Sequence, residues 1–155
     1  MVGAGCLLCN SACAWISGFS LNMGITSNNI AKLGAVRQGL MLAWELGFIF
    51  IYLEIDSMKN LSWLTTKNDI SPNAIPLFSD YRNLIECGWT VQVCHIFREA
   101  NGCVDALAKR GNQQQCLLEI YDTCPDFVYL PFVWCMENLG TSRLCPLRLE
   151  LPVVV

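Results

Sequence analysis

The run from Phe48 to Ile55 constrains this chain more than any other stretch. It is apolar except for Glu54, has the length of a strand rather than a helix, and is dense in aromatic and β-branched residues. A strand with no polar face must be covered on both sides, which places it inside a sheet among parallel neighbours. Asp56 and Ser57 end it, and Ser57 is a natural N-cap for a short helix carrying Met58, Leu61 and Leu64 on one face.

The flanking sequence supplies partners for such a strand. Upstream, Thr26, Ser27 and Asn28 can cap a helix in which Ile30, Leu33, Val36, Leu40, Ala43 and Trp44 recur every three or four positions, and Gly47 stops it. Before that, Cys6–Cys9 and Trp15–Ser20 are short apolar runs around Asn10-Ser11-Ala12, the pattern of a β-hairpin, with residues 1–5 as a lead-in. Downstream, a polar loop from Asn68 to Asn73 precedes a helix with Leu77, Tyr81, Leu84 and Ile85 in its stripe. Gly88 ends that helix, Trp89–Ile96 alternates as a strand, and Asn101–Arg110 is a last helix. Hairpin, helix, strand, two helices, strand, helix is an α/β order with mixed strand directions. From Gly111 onward no period is sustained, so we expect a domain over residues 1–112 and an irregular tail over residues 113–155. Leu149–Val155 is an apolar end without an evident partner.

The whole is one domain's worth of chain, and 54% hydrophobic against 15% charged residues sets it apart from disordered chains. A net charge of −3 gives no overall attraction to phosphate backbones, so any nucleic-acid contact must be local. Ten cysteines invite a zinc or disulfide reading. Only Cys6-Leu7-Leu8-Cys9 has ligand-like spacing, and no second pair completes a tetrahedral site, so they read as reduced thiols of an intracellular protein. The first positive side chain is Lys32, which argues against an export signal, and the apolar stretch 40–55 is broken by Glu45, Gly47 and Glu54, which argues against a membrane helix.

Two segments carry a resemblance. Leu53-Glu54-Ile55-Asp56-Ser57 and the longer His95-Ile96-Phe97-Arg98-Glu99-Ala100-Asn101-Gly102-Cys103-Val104-Asp105-Ala106-Leu107-Ala108-Lys109 resemble the plant ribonuclease H-like domain family of retroelement-derived reverse transcriptase proteins. Trp15–Phe19, Gly39–Ala43, Asp126–Val128 and Leu139–Ser142 are similar to it as well. The resemblance implies an α/β ribonuclease H-like mixed sheet flanked by helices, and hydrolysis of the RNA strand of RNA–DNA hybrids by two Mg²⁺ ions held among four carboxylates. Hard cations need such concentrated oxygen ligands. By the same resemblance Asp56 and Asp105 are metal-binding catalytic carboxylates, His95 assists proton transfer or product release, and Asn101 orients substrate.

Two of the family's carboxylates have no counterpart. Where the first helix should carry Glu, this chain has Ala31-Lys32-Leu33, and the Asp-bearing first strand is expected to be absent. At an effective dielectric of about 20 and a separation of about 4 Å, an ammonium repels a divalent ion by roughly 8 kcal/mol. We therefore expect Lys32 to exclude a metal, to pair with Asp56 or Asp105 instead, and to leave the chain inactive. The alternatives are a non-catalytic nucleic-acid-binding or protein-interaction module, or an active enzyme whose first strand lies in a longer product. In the family the missing strand is central. Five buried side chains of roughly 8–15 kcal/mol in total are a domain's whole stability, so its loss predicts an unstable chain or a hairpin that slides across to pair with the Phe48 strand.

Overall fold

The computed structural model describes residues 1–142 and 151–154, with side chains to residue 137. A hairpin of β1 (Gly3–Cys9) and β2 (Trp15–Asn22) opens it, followed by helix α1 (Asn28–Glu45) and strand β3 (Phe50–Ile55). Helices α2 (Met58–Thr66) and α3 (Ile75–Ile85) lead to strand β4 (Thr90–His95), then α4 (Gly102–Gln113), strand β5 (Leu118–Tyr121), helix α5 (Asp126–Ser142) and strand β6 (Leu151–Val154).

The local signals act as expected at most boundaries. The Ser27 hydroxyl accepts from the Ile30 N–H and the Ser57 hydroxyl from the Asn60 N–H, so both helices begin at a serine cap. Gly47 and Gly88 both take positive φ just beyond the ends of α1 and α3, the conformation that favours glycine after a helix. Strand β3 is inside the sheet and parallel to β4, pairing Phe50 with Thr90 through to Ile55 with His95. Ile51, Leu53 and Ile55 are fully buried, while Tyr52 and Glu54 on the other face are nearly so, which is the two-sided covering its composition requires.

The sheet order is β4-β3-β6-β1-β2-β5. The hairpin does not slide onto β3, because β6 lies between them. Val153 stands opposite Leu53 on one side and Leu8 on the other, and Val154 opposite Glu54 and Leu7. The central place expected to be vacant is thus held by the apolar C-terminal segment, running parallel to β3 and antiparallel to β1. Burying unpaired N–H and C=O groups costs as much as losing the hydrogen bonds, so two facing edges are a strong acceptor for any extended segment.

The stretch expected to be an irregular tail contains regular elements. Strand β5 adds to the hairpin's outer edge, pairing Leu118–Tyr121 with Leu21–Gly18. Helix α5 packs Val128 and Phe132 onto Leu7, Cys103, Val104 and Leu107, a small second core under α4. Gln114 secures the junction: its side chain amide donates to the carbonyls of Ser20, Cys116 and Leu117, and its oxygen accepts from the Ser20 hydroxyl at 2.5 Å. Leu149, Glu150 and Val155, part of the apolar end singled out above, lie outside the described residues.

Arg110 grips the β5 side chain Glu119 with two nitrogens, at 3.1 and 3.3 Å, and the Tyr121 hydroxyl donates to the same carboxylate at 2.6 Å. The Tyr121 hydrogen bond first, then those from Arg110 and Cys116, hold the Glu119 carboxyl at about 2. A carboxyl depressed on folding stabilises the fold above its unfolded value and loses that contribution as pH falls toward the folded one. Stability should therefore decline between about pH 4.5 and pH 2, more steeply in the native chain than in Glu119→Gln. Parallel acid-unfolding curves for the two proteins would contradict this.

Candidate functional site

Asp56 lies one residue beyond the end of β3, and its side chain is only 2% exposed. Strand β3 leaves the sheet here, and the α2 cap turns the chain away: Ser57 donates to the Asn29 side chain at 3.3 Å, and the Asn60 amide donates to the Asn29 carbonyl at 2.9 Å. These bonds tie the start of α2 to the first turn of α1, which sets Lys32, one turn on, against Asp56. The Lys32 ammonium donates directly to Asp56 Oδ1. Lys32 is 35% exposed, so its charge reaches the carboxylate from the solvent side.

Asn101 and Asp105 come from the other direction. Helix α4 crosses the hairpin at very close range: a Cβ on Gly3 would overlap the Ala108 carbonyl, and one on Gly5 would lie 2.5 Å from the Leu107 Cβ. Glycine at these two positions is what lets α4 settle on β1, and β1 accordingly begins at Gly3 where the sequence suggested only a lead-in. Asn101 starts the helix, with its carbonyl accepting from the Asp105 N–H at 3.0 Å. Its side chain makes no capping bond, is 2% exposed, and presents an Oδ1 atom with no hydrogen-bond partner. Arg98, from the turn before it, reaches Asp105 at 3.8 Å.

These side chains share one cavity of about 260 Å³, with Lys32, Asp56, Arg98, Asn101 and Asp105 around it and the Val2–Gly5 segment along one wall. Three of the four site residues expected from the sequence are thus brought together. His95, the fourth, ends β4 opposite Ile55 and rests edge-on against the exposed Phe97, with ring centroids 5.7 Å apart; it is not among the residues lining the cavity. Asn28 and Asn29 do line it, and sequence reasoning gave neither a role there. Their only advance signal was their place at the start of the helix that carries Lys32.

The resemblance assigns Mg²⁺ to Asp56 and Asp105, and the donor set around them does not fit a pair of hard divalent ions. Each carboxylate faces a cation of the protein's own, and among the described residues no three His, Cys, Asp or Glu side chains group closely enough to hold a metal. Arg110 is engaged by Glu119, whereas Arg98 and Lys109 are exposed. No helix among the described residues is long and apolar enough to cross a membrane.

Residues 2–111 match the family described as Reverse transcriptase-like. A relative in Arabidopsis thaliana whose name describes it as a ribonuclease H protein is 32% identical over 151 residues; the match covers 97% of this chain but 24% of that protein, so the chain spans about a quarter of its length. Among solved structures, RNase H1 from the halophilic archaeon Halobacterium salinarum superimposes with a TM-score of 0.56 at 24% identity, over 63% of this chain and 85% of that one. The N-terminal RNase H domain of a Mycobacterium tuberculosis protein gives 0.57 at 15% identity, over 71% and 91%. At these identities the two structures speak for the fold.

Proposed function

Since the chain belongs to the reverse transcriptase-like family and has the ribonuclease H-like fold, we propose that it is a nucleic-acid-binding module of RNA–DNA hybrid ribonuclease ancestry that does not cleave. One observation carries this reading: the Lys32 ammonium donates directly to Asp56, a carboxylate to which the resemblance assigns metal binding. Phosphoryl transfer by two metals requires carboxylates whose charge is free to hold them. Here the charge is already spent on Lys32 and, more loosely, on Arg98.

What is left suits a polyanion better than a reaction. Arg98 and Lys109 are solvent-facing cations beside or near the cavity, and Asn101 offers an unpartnered buried acceptor to a sugar hydroxyl or a base amino group. With an overall charge of −3, binding should be weak and should fall steeply with salt.

The test is a labelled RNA–DNA hybrid incubated with the protein at low salt, with Mg²⁺ or with EDTA. We expect a retarded complex of similar affinity in both and no shortened RNA in either. Mg²⁺-dependent cleavage products would overturn the inactive reading, and the absence of any complex would favour a protein-interaction role instead. Asn101→Ala should weaken the complex about tenfold, the worth of one hydrogen bond. It should leave the melting temperature nearly unchanged, because Oδ1 has no internal bond to lose. Equal affinity for both proteins would remove Asn101 from the interface.

A further inference from the structure

A second cavity, of about 20 Å³, also touches Asn101, and four cysteines line it: Cys9, Cys13, Cys103 and Cys135. Among them Cys103 on α4 and Cys135 on α5 are in direct contact, Sγ to Sγ 3.7 Å. Cys135 Sγ also lies 3.8 Å from the Ala100 carbonyl, at the turn that delivers Asn101. No three of these thiols converge as metal ligands would, so the arrangement favours chemistry between two sulfurs over the binding of an ion.

We propose that Cys103 and Cys135 are a redox-modifiable pair whose disulfide clamps α5 to α4 beside the Asn101 turn. The oxidant is a low-molecular-weight disulfide such as oxidised glutathione. Cys135, half-buried and therefore reachable, attacks it as thiolate, forming a mixed disulfide and releasing one glutathione thiolate. Cys103 then gives up its proton to solvent and attacks the Cys135 sulfur, expelling the second glutathione. Two protein thiols become one disulfide and one glutathione disulfide becomes two thiols, so electrons and protons balance. The order follows from the surroundings of Cys103: its hydrogen bond to Cys135 and its burial push the thiol far up, so it remains a donor until the mixed disulfide forms next to it. Bonding requires the sulfurs to close from 3.7 Å to about 2 Å.

The test uses the full chain equilibrated in glutathione buffers from fully reducing to fully oxidising, followed by alkylation, digestion and peptide mass mapping. It reads the bond itself and does not depend on whether the protein binds hybrids. In oxidising buffer we expect a cross-linked peptide joining Cys103 to Cys135 and a rise in melting temperature of roughly 5–10 °C. The rise should be reversed by reductant and lost in Cys135→Ser, a half-buried and so tolerable change. Recovery of both thiols fully alkylated, a persistent glutathione adduct, a cross-link from Cys135 to Cys9, Cys13 or Cys124, or a melting rise that survives in Cys135→Ser would each overturn the proposal.

Discussion

Replacing Val153 by proline should cost about 1–3 kcal/mol for each buried ladder group left unpaired, a large share of the roughly 5–15 kcal/mol that holds a domain together. Val153 is paired on both sides, with Leu8 of β1 and Leu53 of β3, so it belongs to the strand that joins the two halves of the sheet among the described residues. The joint is short. Strand β6 has four residues against six in β3 and seven in β1, and Pro152, opposite Tyr52, already lacks an N–H to give to the ladder. A second proline removes the next donor, and the edges of β1 and β3 are left facing each other unpaired. Hydrogen exchange reads the effect directly: amides of Leu7, Leu8 and Ile51–Glu54 should lose protection together, while β2 and β5, which pair with each other, should lose it least. Unchanged protection across β3 would mean that the sheet does not depend on β6.

This strand also marks where sequence reasoning stops. The Phe48 run, the serine caps and the glycine stops are local signals, each decided within a few residues, and they placed the elements from the hairpin to α4 close to where they lie. The role of Leu151–Val154 is not local. Those residues form a strand because β1 and β3, about 145 and about 100 residues earlier in the chain, present two empty edges, and nothing in the segment itself announces that. Helix α5 was hidden for a different reason. Its apolar residues do not keep to one face: Val128 and Phe132 are buried, yet Phe127, Tyr129 and Leu130 are exposed and Pro131 sits inside the helix, so no stripe stands out.

At the site, the resemblance of two segments to one family nominated Asp56, Asn101 and Asp105, and the structure gathers them around one cavity. That His95 does not line this cavity was not legible, since a residue at a strand end turns toward or away from a neighbouring helix according to the connecting turn. Asn28 and Asn29 were given no place at the cavity because asparagine at a helix start is explained well enough by capping. A pairing of Lys32 with Asp56 or Asp105 was expected because Lys32 is the basic residue that stands where the resemblance requires an acid; the structure puts it on Asp56, which at 2% exposure needs a counter-charge.

That pair sets the other large effect. Lys32→Glu exchanges an attraction for a repulsion at a buried carboxylate, and stability in metal-free buffer should fall by about 3–5 kcal/mol, the usual cost of leaving a buried charge without its partner. High salt should rescue little of this, because Asp56 is nearly inaccessible to screening ions. Millimolar Mg²⁺ should restore much of it, since three carboxylates at positions 32, 56 and 105 begin to make the hard oxygen site that the native residues do not. Lys32→Met separates the two effects: it too is destabilised, but with no added carboxylate it should not respond to Mg²⁺. Melting each protein in EDTA and in Mg²⁺ decides the matter. If the native chain itself gains stability from Mg²⁺, or if Lys32→Glu melts like the native chain in EDTA, then Lys32 does not neutralise Asp56 in place of a metal.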